Sequence, residues 1–205
     1  MQGELLQGLN LASFAAIAAG AVVASRHRRP DIIGAYIVAA ATAFGGGVIR
    51  DAILGIPAQG PRDPIALLTV FLAASVTMFL PRTFERWSTL VDVLDAVGIG
   101  LFNAAGMAIA WSAGAHPALV LLLGSVTAAG GGIIRDVLLG RMPTVMQQST
   151  LYVTACLIGG SVGLAARAAG VGADLVWVLI LLVTTSVRLL AMRFGWTLAA
   201  ITDQR

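Results

Sequence analysis

Three consecutive glycines followed at a fixed distance by an arginine and an aspartate occur twice in this chain. Gly45-Gly46-Gly47-Val48-Ile49-Arg50-Asp51 returns 85 positions later as Gly130-Gly131-Gly132-Ile133-Ile134-Arg135-Asp136. Aligning residues 42–55 with 127–140 gives 10 identities in 14, among them Thr42/Thr127, Leu54/Leu139 and Gly55/Gly140. In an apolar setting these residue types suit the handling of a charged solute. Each interior glycine costs a helix about 0.8–1 kcal/mol relative to alanine, so a triplet predicts a break. A break frees the carbonyls ahead of it, near Ala41–Phe44 and Val126–Ala129, as a negative end suited to a cation. It also starts a new half-helix whose positive end favours Asp51 and Asp136.

On that reading Asp51 and Asp136 contact a passing cation, while Arg50 and Arg135 hold the aspartates or gate the path. An ionised side chain at bilayer depth costs at least ~2.5–3.5 kcal/mol and usually faces a cavity or a partner. A blander reading stands beside it. Glycine triplets also let helices pack closely, as expected of Gly159 and Gly163, and the Arg–Asp pairs then brace the packing as salt bridges.

These residues must be positioned by membrane-spanning helices. The chain has 205 residues, of which 58% are hydrophobic and 11% charged, with a mean hydropathy of +0.90. Soluble domains carry roughly 25% charged residues, so the composition belongs in a bilayer. All 13 basic residues are arginine, and they scatter over short loops rather than forming a stripe, which argues against nucleic acid. Apolar runs long enough to cross the hydrocarbon cover roughly 5–25, 32–55, 65–81, 91–112, 118–140, 149–169 and 174–193. Ala15 to Ala24 resembles a signal peptide, but Glu4 and the lack of a positive start argue for a structural helix.

The expected fold is therefore an all-α integral membrane protein of seven helices in a single domain, residues 1–205. The 85-residue offset maps spans one to three (about 5–81) onto spans four to six (about 91–169) and leaves the seventh unpaired. Three crossings is an odd number, so the second unit starts on the opposite face, as in inverted repeats with a midplane site. Connections on the C-terminal side carry Arg26, Arg28, Arg29, Arg82, Arg86, Arg141, Arg193 and Arg205, against Arg62 and Arg167 on the other. The positive-inside rule places the C-terminus in the cytoplasm and the N-terminus outside a cell membrane.

Other polar residues carry less. Thr69 and Thr154 occupy equivalent places in the repeat and are read as lining groups. Ser75, Thr77 and Ser161 are expected to bond their own helix backbone. Asn10 and Asp95 are also equivalent and read as helix caps. Arg188 is expected to snorkel from span seven, and Trp87, Trp111, Trp177 and Trp196 to anchor at interfaces. His27 and His116 lack ligand spacing, the single Cys156 offers no disulfide, and neither glycine motif ends as a phosphate loop. Neither an enzyme, a structural metal nor a cofactor is expected.

At these residues the chain resembles prokaryotic members of the TRIC family, the trimeric intracellular cation channels. The resemblance covers nearly the whole chain: its length, seven spans, two repeats, and Gly-Gly-Gly-x-x-Arg-Asp in spans two and five. It implies a homotrimer in membrane lipid, with a pore in each subunit, kinks at the glycines, and passage of monovalent cations, chiefly K⁺. Transient K⁺ would then lie near Asp51 and Asp136. Two departures limit the transfer. Without any Lys, the lysine roles of animal relatives cannot be carried over. The first motif also reaches its proline one residue sooner, at Pro57, than the second does at Pro143. Some bacterial relatives are associated with glycine uptake, so a small-solute carrier is the alternative.

Overall fold

A computed structural model describes residues 2–79, 88–147 and 151–198 of the chain. Among them the architecture is seven helices: α1 (Gln2–Ser25), α2 (Ile32–Leu54), α3 (Pro64–Phe79), α4 (Ser88–Ser112), α5 (Pro117–Leu138), α6 (Val153–Ala168) and α7 (Ala173–Phe194). They form two inverted three-helix repeats plus α7. Arg82, Arg86, Trp87 and Arg205, all used in the sequence reading, lie outside the described residues. By length and composition α2, α5 and α7 can each cross a membrane, and α3 and α6 are shorter apolar helices.

Local chemistry sets the helix ends. Asp31 caps α2 by accepting the Gly34 amide at 2.6 Å, and Pro117 opens α5 where no intrahelical N–H is needed. α2 ends at Gly55, whose φ of 67° is left-handed, and the repeat-equivalent Gly140 has φ 65°. A left-handed residue after the last turn favours glycine in both places.

The packing is that of a membrane protein, with small residues inside and large ones outside. The first repeat centres on Ala18, Ala39, Ala43, Ala66 and Ala74 with Val22, Val70 and Phe44. A second core joins α4, α5 and α7 through Met107, Leu123, Val176 and Ile180. Ile32, Ile33, Ile37, Leu68, Phe71, Val76 and Phe79 are exposed on α2 and α3, where lipid can cover them. The repeats meet through α2 against α5 and α1 against α4, while α7 packs on α4 and α6 of the second repeat.

The expected breaks at Gly45–Gly47 and Gly130–Gly132 do not occur. Both α2 and α5 run as continuous helices through their triplets, so no half-helix ends form there. The glycine cost is about 1 kcal/mol per residue, whereas a backbone group left unpaired in hydrocarbon costs several, so the ladder persists. Two smaller readings also change. Asn10 and Asp95 are not caps: helices that begin at Gln2 and Ser88 place both well inside α1 and α4. Arg188 does not snorkel; it is 5% exposed and turned toward α4.

Candidate functional site

The triplets act where α2 and α5 cross. A Cβ on Gly46 would overlap the carbonyl oxygen of Thr127, and one on Gly131 would overlap that of Thr42. A Cβ on Gly130 would stand 3.0 Å from Gly46 Cα, and one on Gly45 would meet the Ile134 side chain. Gly46, Gly130 and Gly131 therefore let two backbones touch, and Gly45 makes room for the Ile134 side chain. The third glycine of each triplet does something else. Around Gly47 the nearest group is the Arg50 guanidinium at 3.6 Å, and around Gly132 it is the Tyr152 hydroxyl at 3.6 Å.

Gly47 and Gly132 each border a cavity. The first, of about 290 Å³, is lined by Asn10, Ala43, Gly47, Arg50, Gln59 and Thr127, with Phe14, Phe44 and Phe102 among the apolar walls. The second, of about 350 Å³, is lined by Asp95, Ala128, Gly132, Arg135, Thr144 and Thr42. Asn10, Ala43, Gly47, Arg50 and Gln59 of the first have their counterparts 85 residues on in the second, with Thr42 and Thr127 exchanged. The cavities are thus related by the same pseudo-symmetry as the repeats. Helix α1 lines the first with residues 7–14 and the second with 16–24, so they succeed each other along its axis. On the wall of the first cavity Phe14 packs on Phe44 and Phe102, with ring centroids 5.0 and 5.7 Å apart.

The charged pairs are built alike. Asp51 is 1% exposed; its Oδ1 accepts from Arg50 Nε at 2.8 Å, and its Oδ2 accepts the Gln59 amide at 2.9 Å. Asp136 is 1% exposed too; its Oδ1 accepts from Arg135 Nε at 2.9 Å and Arg141 Nη2 at 2.7 Å. Its Oδ2 accepts the Thr144 amide at 2.8 Å and the Thr144 hydroxyl at 2.9 Å. Each carboxylate holds an arginine on one side and clamps the turn after its helix on the other. Charge-assisted bonds of this kind are short and strong.

The arginines, rather than the aspartates, face the cavities: Arg50 and Arg135 line them, and Asp51 and Asp136 stand behind. Gly45, Gly46, Gly130 and Gly131 form the crossing, with Gly47 and Gly132 at the walls. Thr69 and Thr154 lie apart from both cavities, and the Thr69 hydroxyl donates to the Ile65 carbonyl at 2.7 Å. Ser75 and Thr77 likewise bond their own helix, as expected. Residues the sequence reading missed are Thr42, Thr127, Asn10 and Asp95 as lining groups, together with Arg141, Tyr152 and Arg188. Thr42 and Thr127 each fall one turn before a triplet inside the repeated motif, a signal that was present. Arg188 has no repeat partner and gave none.

The asymmetry in the clamps has a measurable consequence. Removing the Thr144 hydroxyl in Thr144→Ala deletes a bond to a buried charge and should cost about 1–2 kcal/mol. Gln59→Ala keeps the backbone amide that Asp51 uses and should leave stability unchanged. Thermal unfolding in detergent checks both; equal losses would show that the clamp is not what Thr144 supplies.

Known proteins carry the same frame. A family model described as glycine transporter matches residues 5–82 and 92–168. The inner membrane protein YadS of Escherichia coli, of the UPF0126 group, is 36% identical over 165 residues, 77% of each chain. A solved TRIC cation channel superposes with a TM-score of 0.89 and 29% identity, covering 97% of this chain and 98% of that one. The TRIC orthologue of Rhodobacter sphaeroides gives 0.84 at 29% identity, covering 93% and 98%. The chain is a multi-pass membrane protein, and it belongs to the family whose model is described as glycine transporter and, as a prokaryotic member, to the TRIC family.

Proposed function

We propose that the chain forms a passive pathway for monovalent cations, K⁺ in preference, inside each subunit of a homotrimer. The observation that carries this reading is the pair of repeat-related cavities beside the α2–α5 crossing, each walled by a motif arginine. The similar solved structures are described as cation channels, and the Rhodobacter sphaeroides orthologue as trimeric. The first cavity, beside Gln7 and Asn10, faces outside with the N-terminus, and the second, beside His27 and Arg141, faces the cytoplasm. Gly47, Arg50, Gly132 and Arg135 line the route, and Gly45, Gly46, Gly130 and Gly131 hold its two sides together. Asp51 and Asp136 neutralise the arginines, so that a cation meets a dipolar wall rather than a bare positive charge. Phe14, Phe44 and Phe102 form an apolar constriction at the wall of the first cavity, of the kind that gates by dewetting. On this reading the chain moves ions and is not an enzyme.

The family model's description favours a second reading, a glycine carrier, and paired cavities closed from each other also suit alternating access. Single-channel recording in planar bilayers under a KCl gradient separates the two. Discrete currents reversing near the K⁺ potential are expected. Silent bilayers, with saturable glycine uptake into liposomes of the same preparation, would establish the carrier instead.

A further inference from the structure

The first cavity carries a charged side chain that the repeated motif does not contain. Asp63 stands in the turn between α2 and α3 and lines the cavity together with Gln59 and Gly60. That turn is anchored from the motif. Asp51 Oδ2 accepts the Gln59 amide at 2.9 Å, and the Gln59 carbonyl in turn accepts the Asp63 amide at 3.1 Å. The Gly60 carbonyl accepts the same Asp63 amide at 3.2 Å, which closes the turn.

Asp63 immediately precedes α3, and its Oδ1 accepts the Ile65 amide at 2.8 Å, the bond of an N-cap. Capping explains one oxygen but not the charge, because serine or asparagine caps as well. Among the described residues Asp63 makes no ion pair. Arg50, on the same wall, is already matched: its Nη2 lies 2.7 Å and its Nε 2.8 Å from Asp51 Oδ1, and both residues are buried. Arg62 is exposed and does not line the cavity. A cation in the first cavity therefore meets a neutralised arginine and a half-buried carboxylate with its charge unspent.

We propose that Asp63 is a specificity-determining residue of the first cavity, whose carboxylate concentrates cations there and favours their entry from that side. This rests on the cation-pathway reading. A fixed charge in a low-dielectric mouth raises the local concentration of the opposite ion. Its loss should lower K⁺ current entering from that side by about two- to threefold near 0.1 M salt. The loss should shrink near 1 M, where screening shortens to about 3 Å.

Single-channel current–voltage curves in symmetric KCl, for wild type, Asp63→Asn, Asp63→Ser and Asp63→Glu, test the proposal. Asparagine and serine keep the cap and lose the charge, whereas glutamate keeps the charge and weakens the cap. Asp63→Asn and Asp63→Ser should lose current of one polarity at 0.1 M and converge on wild type at 1 M. Asp63→Glu should keep the wild-type curve. A residue that only caps α3 gives the reverse ranking, with Asp63→Glu impaired and the other two unchanged, and that result overturns the proposal. Losses equal in both polarities, or undiminished at 1 M, also overturn it, since they report a reshaped pore rather than a missing charge. Any of these outcomes leaves the pathway reading standing. Wild-type bilayers without currents overturn both.

Discussion

Gly46→Ala and Gly131→Ala are expected to abolish most of the folded protein, whereas Gly47→Ala and Gly132→Ala are expected to be tolerated. In the first pair the new methyl group meets a backbone carbonyl of the facing helix, which cannot rotate aside. Overpacking ordinarily costs about 1–3 kcal/mol, and this contact, made between two main chains, belongs at or above the top of that range. At Gly47 and Gly132 nothing lies nearer than 3.6 Å, and alanine favours the helix by about 1 kcal/mol. Recovery of monodisperse protein and thermal unfolding in detergent read the difference. Were the triplets there to interrupt the helix, all three glycines of each would matter alike, and equal losses at Gly46 and Gly47 would refute the crossing argument.

The second large effect concerns the buried ion pairs. Asp51→Asn leaves Arg50 charged, 4% exposed, and without its carboxylate. Breaking a buried pair from one side costs about 3–5 kcal/mol, because the remaining charge has been taken from water without compensation. Arg50→Gln should cost a similar amount. The double variant Arg50→Gln/Asp51→Asn should recover much of the loss, since two neutral amides can bond each other and the Gln59 amide. A double-mutant cycle in unfolding free energy checks this; additive losses would mean that the pair is not what stabilises the site. Asp136→Asn should be the more harmful at the functional level, as it releases Arg135 and Arg141 together onto the second cavity.

Much of the architecture was legible because the bilayer simplifies it. Each helix must satisfy its own backbone, so apolar runs bounded by Pro57, Pro64, Pro117 and Gly170–Gly172 mark α2 to α7 closely. Ends were less certain: α6 begins at Val153 rather than near 149, and α1 and α4 extend further toward their N-termini. That shift turned Asn10 and Asp95 from caps into wall residues. The triplets face one another where α2 packs on α5, but their conformation is helical rather than broken. Propensity argued for a break, and the requirement for backbone pairing in lipid outweighed it.

The repeated Gly-Gly-Gly-x-x-Arg-Asp gave the duplication, and its 85-residue offset laid over the apolar runs gave three spans per unit and hence the inverted relation of the halves. A costly pattern at a constant offset admits few other readings. Tertiary structure decided which face of each motif residue meets what. Adjacent residues on a helix point about 100° apart, so Arg50 and Asp51 diverge, and only the packing of neighbouring helices and turns settles which of them lines a cavity. Thr144, eight residues beyond Asp136, and Arg188, 93 residues from Asp95, reach their partners only through the folding of the chain.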